Sequence, residues 1–326
     1  MKGKYEIVKD IERGSVSFEQ LQEARRDLVR GSHIDLILQE SLLDRQYDRE
    51  ALPEELAKHA ADVIMTSFPD ENFAGLDLLF RGEFLFLSYA GDDLFSWEED
   101  RKPYLERIAE KVRRARPRSV IYRLTDYNSE DFSYLPGLDR LPESRGAQRL
   151  LDQPELLETD LAVIELLGEM NVPVDILVPC IQFQEQYAEL AGRIRERARE
   201  KGIPFRSLGI MLEIPANLFQ IDLYRDVDFF IFGPGDLLKY YYGDLNRNTA
   251  LFNRIDPEII LPGILFCLEK LNEQGKKVVY LAKHLIGLGE SIRDMGFSNL
   301  ELRNLYLPSQ IMNSRVKSEI VSGARV

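Results

Sequence analysis

The chain has 326 residues, 44% hydrophobic and 30% charged, with a formal net charge of −13, which suits one large folded domain of a soluble protein. So acidic a chain lacks the general basic face that nucleic-acid and anionic-membrane binders need, although a few converging arginines still suffice for a small anion. The two cysteines, Cys180 and Cys267, stand far apart in apolar runs, which excludes a cysteine-cluster metal site and predicts no disulfide framework.

The first stretch, MKGKYEIVKDIERG, has no apolar core of the signal-peptide kind, and no apolar run nears the roughly 18–20 residues of a membrane span. A cytoplasmic protein is the expectation. Residues 1–58 are rich in charge and helix formers, and they predict two or three amphipathic helices outside the main domain, one of them started by Ser17 and Gln20 at capping-box spacing. His33, in RGSHIDLIL, is open to two readings: a phosphorylated histidine, or a surface histidine at a helix start.

From about Ala61 apolar strands alternate with amphipathic helices. The strands are expected at Asp62–Thr66, Leu76–Phe80, Ser119–Leu124, Val174–Pro179, Leu208–Leu212, Val227–Phe232, Lys277–Leu281 and Asn299–Leu302. Helical spacing of apolar residues marks Gln182–Glu200 and Pro257–Glu273, the latter stopped by Gly275. Eight strands over roughly 265 residues match an α/β fold of the (β/α)₈ TIM-barrel type. The expected organisation is an N-terminal helical extension, 1–58, and a barrel, 59–326. The first two strands are too close for a full helix between them. The basic segment Arg101–Ser119 reads either as the solvated outer face of a barrel helix or as a nucleic-acid surface, and the acidic total favours the former.

The stretch Leu208–Tyr242 delivers Glu213 at the end of one strand and GPGDL, with Asp236, at the end of the next. If those strands are parallel neighbours, the two carboxylates share the face where α/β folds bind ligands. Paired oxygen donors suit Mg²⁺, which keeps several waters and takes one or two protein carboxylates. Helix caps or arginine partners are the other reading of the same spacing.

Taken together, the strand ends resemble a known family. Arg81 in LLFRGEFLF, Arg123 in VIYRLTD, Arg145 in SRGAQRLL, Glu213 in MLEIP and Asp236 in GPGDL follow one another. They look like the R-T-E-F, R-x-x-D, R-G/A, M-x-E-x-P and G-x-N-D-L segments of the C-terminal barrel of phosphoenolpyruvate (PEP)-utilising enzymes: PEP synthase, pyruvate phosphate dikinase and enzyme I of the sugar phosphotransferase system. The resemblance covers roughly Ala61 to Val316. It implies that Arg81, Arg123 and Arg145 hold the phosphate and carboxylate of PEP, and that Glu213 and Asp236 bind Mg²⁺. Arg247 approximates a further family arginine, out of register by one. It also implies a homodimer through the barrel.

Departures accompany the matches. The substrate-touching asparagine of the family is Gly235 here, its glutamine is Lys239, and the cysteine that protonates the enolate of pyruvate aligns with Leu281. Lys283 or His284, just beyond, are the titratable candidates to replace it. No phosphohistidine segment and no nucleotide-binding domain fit residues 1–58, so phosphoryl transfer implies a separate subunit that carries them. Three functions follow from these residues. The chain is a Mg²⁺-dependent binder of PEP, pyruvate or a related keto acid in a split phosphotransferase; or a carbon–carbon lyase of the pyruvate-aldolase or citryl/malyl type, whose G-P-x-D-L resembles GPGDL; or a non-catalytic scaffold that keeps the anion site.

Overall fold

A computed structural model describes residues 20, 61–66, 73–83, 101–126, 144–243, 256–282 and 286–306. Apart from Gln20, the helices expected within 1–58, and His33, lie outside the described residues. The strands are β1 Val63–Thr66, β2 Asp77–Arg81, β3 Ser119–Arg123, β4 Val174–Val178, β5 Ser207–Leu212, β6 Phe229–Phe232, β7 Lys277–Ala282 and β8 Leu300–Tyr306. They pair in parallel, each with its neighbour in sequence, and β8 returns to β1 to close the barrel. The helices are α1 Arg101–Ala115, α2 Gly146–Asp152, α3 Pro154–Glu169, α4 Gln184–Lys201, α5 Pro215–Phe219, α6 Pro234–Tyr241, α7 Leu261–Glu273 and α8 Ile286–Asp294. Among the described residues no helix stands between β1 and β2.

Strand residues alternate between two apolar layers because successive side chains leave a strand on opposite faces. Leu78, Phe80, Val120, Tyr122, Ile176, Ile210, Phe230 and Tyr280 point outward and pack under the helices with Tyr104, Leu161, Leu190 and Leu268. Leu79, Ile121, Leu177, Met211, Ile231 and Val279 fill the barrel interior. Burying each such side chain is worth roughly 1.5–3 kcal/mol. The inward series fixes what stands at the two ends. Asp77, Ser119, Asp175 and Ser207 lie at the N-terminal end, paired in register as Asp77 with Ser119 and Asp175 with Ser207. Arg81 and Arg123, also in register, stand at the C-terminal end.

All eight strands fall where the sequence puts them, with shifted ends. β6 starts at Phe229 because Val227 and Asp228 are otherwise engaged: the Val227 amide closes a turn on Tyr224 (3.2 Å), and the Asp228 carboxylate accepts the Leu208 amide (2.8 Å). The helix expected from Pro257 opens as a 3₁₀ turn, Pro257–Ile260, in which Asp256 accepts from the Glu258 amide at 2.9 Å. On the basic helix α1, Tyr104, Ile108 and Val112 are buried, so its charges cover the outside of the barrel. Cys180 and Cys267 are free thiols, both buried.

Candidate functional site

The arginines at the strand ends are strung together by buried acids. Arg81 donates from Nε (2.8 Å) and Nη2 (2.7 Å) to Oε1 of Glu83. Arg123 donates from Nη2 to that same oxygen, and lies 3.8 Å from Oδ2 of Asp126. Asp126 takes both tines of the Arg145 guanidinium, Nε and Nη2, at 2.9 Å each. The remaining Nη1 of Arg145 donates to the Tyr240 hydroxyl and lies 4.0 Å from Oδ1 of Asp236. The result is one continuous chain of charge, Arg81–Glu83–Arg123–Asp126–Arg145–Asp236, over one rim. Glu83 and Asp126 are fully buried; their only tolerable state at such depth is a paired one. The guanidinium of Arg145 is fixed by α2, which it precedes as the N-cap residue.

Glu213 and Asp236 complete the rim. β5 and β6 are parallel neighbours, so the residues that follow them emerge side by side. Glu213 is buried and its Oε2 accepts the Cys180 amide at 3.0 Å. A Cβ at Gly233 would come within 2.6 Å of Cγ of Glu213, so only glycine there leaves the glutamate its position. Asp236 sits in the first turn of α6, where the helix dipole favours negative charge. Burial pushes Glu213 up to about 7, the charge of Asp236 adds to this, and Arg123 opposes it.

Among the described residues three guanidinium groups on this rim thus face four carboxylates. Two oxygen-bearing carboxylates that raise one another's cost of ionisation fit a hard divalent cation. Among the described residues no group of three or more His, Cys, Asp or Glu side chains could hold a metal, so an ion here would keep waters or ligand oxygens in its shell.

A second layer holds the loops in place. Asp160, on α3, is buried and accepts from the Tyr122 hydroxyl (2.8 Å), the Thr125 amide (2.8 Å) and the Thr125 hydroxyl (2.9 Å). It therefore pins the turn between Arg123 and Asp126. Gly82, between Arg81 and Glu83, lies directly on this carboxylate: a Cβ there would be 2.5 Å from Oδ1 of Asp160. Asn217 on α5 does similar work, donating to the Ile181 carbonyl (2.6 Å) and accepting from Tyr224 (2.9 Å).

Of the residues singled out in the sequence, Arg81, Arg123, Arg145, Glu213 and Asp236 meet at this rim. Gly235 and Lys239 lie on α6 with Asp236, and the Lys239 ammonium stands 5.0 Å from the centroid of the Tyr240 ring. Leu281 is buried near the end of β7. Arg247, Lys283 and His284 lie outside the described residues. Sequence reasoning passed over Glu83, Asp126, Asp160 and Tyr240. The first two follow an arginine within RGEF and RLTD; Asp160 is an acid at a core position of an apolar helix stripe with Leu157, Leu161 and Ile164.

Comparison with known proteins identifies the family. A family model described as PEP-utilising enzyme, PEP-binding domain, matches residues 67–281, well over half of the chain. Phosphoenolpyruvate synthase of Pyrococcus furiosus is 32% identical over 203 residues, 56% of this chain and 24% of that protein. Phosphoenolpyruvate-protein phosphotransferase of Staphylococcus carnosus is 30% identical over 178 residues, 50% of this chain and 29% of that one. The chain thus spans about a quarter of the length of these relatives. Among solved structures, the HpcH/HpaI aldolase from Desulfitobacterium hafniense DCB-2 gives a TM-score of 0.44 at 13% identity, covering 84% of this chain and 97% of that one. With residues 67–281 matching its PEP-binding domain, the chain belongs to the family of PEP-utilising enzymes.

Proposed function

We propose that the rim binds PEP, pyruvate or a related keto acid together with Mg²⁺, and that the chain is the barrel component of a split phosphotransferase. The observation that carries this reading is the unbroken run of guanidinium and carboxylate groups from Arg81 to Asp236. Arginine keeps its charge at any working pH and suits both carboxylate and phosphate oxygens. Here the acids fix which N–H groups remain for a ligand. Asp126 takes one N–H each from Nε and Nη2 of Arg145, and Tyr240 takes one from Nη1, so Arg145 meets a ligand through the second hydrogens of Nη1 and Nη2. Arg123 is buried, and its Nε has no hydrogen-bond partner among the described residues. A buried guanidinium N–H without an acceptor is costly, and a ligand oxygen would remove that cost.

Charge also supports a metal requirement. Among the described residues three guanidinium groups and the Lys239 ammonium stand against four carboxylates, so a dianion meets no net positive charge. A divalent ion held by Glu213 and Asp236 tips the balance, and when bound it supplies Lewis-acid stabilisation of negative charge on ligand oxygens. The residues of the chain then bind, orient and neutralise. Phosphoryl transfer asks for little more than such positioning and clamping, with a separate phosphohistidine-bearing subunit as the other party. No helix among the described residues is long and apolar enough to cross a membrane; we place the work in the cytoplasm, on a homodimer.

Calorimetric titration with oxalate, PEP and pyruvate, with and without Mg²⁺, tests this. Oxalate binding that needs Mg²⁺ is the expected result. Binding of none of the three, or equal oxalate affinity without the metal, overturns the reading. Release of pyruvate from a keto-acid aldol by the purified chain would replace phosphotransfer with carbon–carbon cleavage.

A further inference from the structure

The Tyr240 hydroxyl stands at the end of the charge chain with its own proton still to be placed. Its oxygen accepts Nη1–H of Arg145, and a phenol that accepts on one side still has an O–H to donate. Among the described residues no acceptor takes that proton. Two cations approach the ring, with the Lys239 ammonium 5.0 Å and the Arg145 guanidinium carbon 5.9 Å from its centroid. Asp236 and Tyr240, four residues apart on α6, share a helix face. That face also carries the hydroxyl to Arg145, at the rim where the ligand is held.

We propose that Tyr240 is the proton donor of this site, passing its hydroxyl proton to the methylene carbon of a pyruvate enolate held by the arginines. The assignment rests on the ligand class proposed above. In the step, the enolate electron pair forms the new C–H bond at the methylene carbon while the phenol O–H breaks. The electron pair of that bond stays on the Tyr240 oxygen, and solvent water later returns the proton. Arg145, already hydrogen-bonded to that oxygen, stabilises the phenolate without rearranging, as a preorganised donor should. Lys239 on the ring face adds to this. Burial raises the phenol above its ordinary value, against the opposing charge of Arg145, so the acid stands loaded at neutral pH. Leu281, at the position that resembles the family's cysteine, has no proton to give.

Run backwards, the step lets tyrosinate take a proton from the methyl group of pyruvate, so the methyl signal should exchange in D₂O. The experiment follows that signal by proton NMR with pyruvate and Mg²⁺, and titrates oxalate with and without Mg²⁺ in parallel. The wild-type chain is expected to exchange the methyl protons. In Tyr240→Phe the exchange rate should fall about 100-fold or more, while oxalate affinity drops by less than about tenfold, the worth of one hydrogen bond. Tyr240→Phe exchanging at the wild-type rate overturns the assignment. So does wild-type protein that binds oxalate but exchanges nothing, or exchange that disappears in Lys283→Ala or His284→Ala and not in Tyr240→Phe. Wild-type protein that binds no oxalate overturns instead the ligand class on which the assignment stands.

Discussion

At the N-terminal end of the barrel Asp77 accepts from Nε (2.9 Å) and Nη2 (2.7 Å) of Arg118, from the Ser119 hydroxyl (2.7 Å) and from Nη2 of Arg303 (2.7 Å). Asp175 repeats the device one strand pair on, with Arg206 Nε at 3.1 Å and the Ser207 hydroxyl at 2.6 Å. At the C-terminal end the same residue types stand in the same barrel, but among the described residues carboxylates outnumber guanidinium groups, and Asp236 bears on Glu213. The electrostatics differ accordingly. Burial acts to raise Asp77, yet Arg118, Ser119 and Arg303 hold it well below the usual carboxylate range. Burial and Asp236 push Glu213 up to about 7. One rim surrounds each carboxylate with guanidinium and hydroxyl donors and ties strands together; the other keeps Glu213 beside a second carboxylate, an arrangement that the proposed cation and anion would settle. Conserving energy at one end and withholding it at the other is the division that barrels of this type impose.

The largest effect should come from the N-terminal rim. Asp77→Ala removes the acceptor of four hydrogen bonds from Arg118, Ser119 and Arg303, and should cost about 3 kcal/mol by urea unfolding. Oxalate affinity should not move. Next, on the C-terminal rim, Asp236→Ala should lower Mg²⁺-dependent oxalate affinity by about 100-fold, or about 2.7 kcal/mol. Unfolding of the metal-free chain should change by less than about 1 kcal/mol, because the substitution also removes a like charge from Glu213. If Asp77→Ala weakens binding as much as Asp236→Ala does, the two rims are not separate devices.

The period of two along each strand made the C-terminal rim legible. Once Leu79 and Ile121 face inward, Arg81 and Arg123 must as well, and their ends of the strands are the ligand-binding ends. The helical layer was less transparent. Asp160 contributes from the inner face of α3 to a turn 35 residues earlier, and no local pattern announces such a bond. Tyr240 reads as one of three consecutive tyrosines until α6 selects the one that faces Arg145, leaving Tyr241 and Tyr242 exposed. The acids Glu83 and Asp126 were in plain view, two and three residues after an arginine, but only the closed barrel shows that they tie neighbouring arginines together.

Gly82 sharpens the contrast from the side of packing. The family segment R-T-E-F reads R-G-E-F here, and Asp160 has taken up the space that a side chain would fill. Gly82→Ala drives a methyl group into the Asp160 carboxylate and the Thr125 backbone, which should cost about 2 kcal/mol. Unlike Asp77→Ala, it should also reduce oxalate affinity, since the displaced loop carries Glu83 and Arg81. Loss of stability with unchanged affinity would show that the turn moves independently of the site.

The smallest effect is one of pH, and it runs in opposite directions at the two rims. Burial raises Asp160 to about 7 from an ordinary 3.8, so between those values the folded chain keeps a proton that the unfolded chain has released. Stability must then fall as pH rises through that window and level off above it. Asp77, held low, loses its contribution only when pH falls below its ordinary 3.8. Thermal unfolding of the metal-free chain should therefore show stability falling from pH 6 to pH 7 by on the order of 1–2 kcal/mol. Asp160→Asn, which stays neutral throughout, should flatten part of that slope. The remainder belongs to Glu213, and Mg²⁺ with oxalate should remove it by giving the ionised carboxylate a partner. A slope that ignores both changes would mean that neither carboxylate retains its proton in the folded chain, and the imbalance ascribed to the C-terminal rim would have to be met by some other pairing.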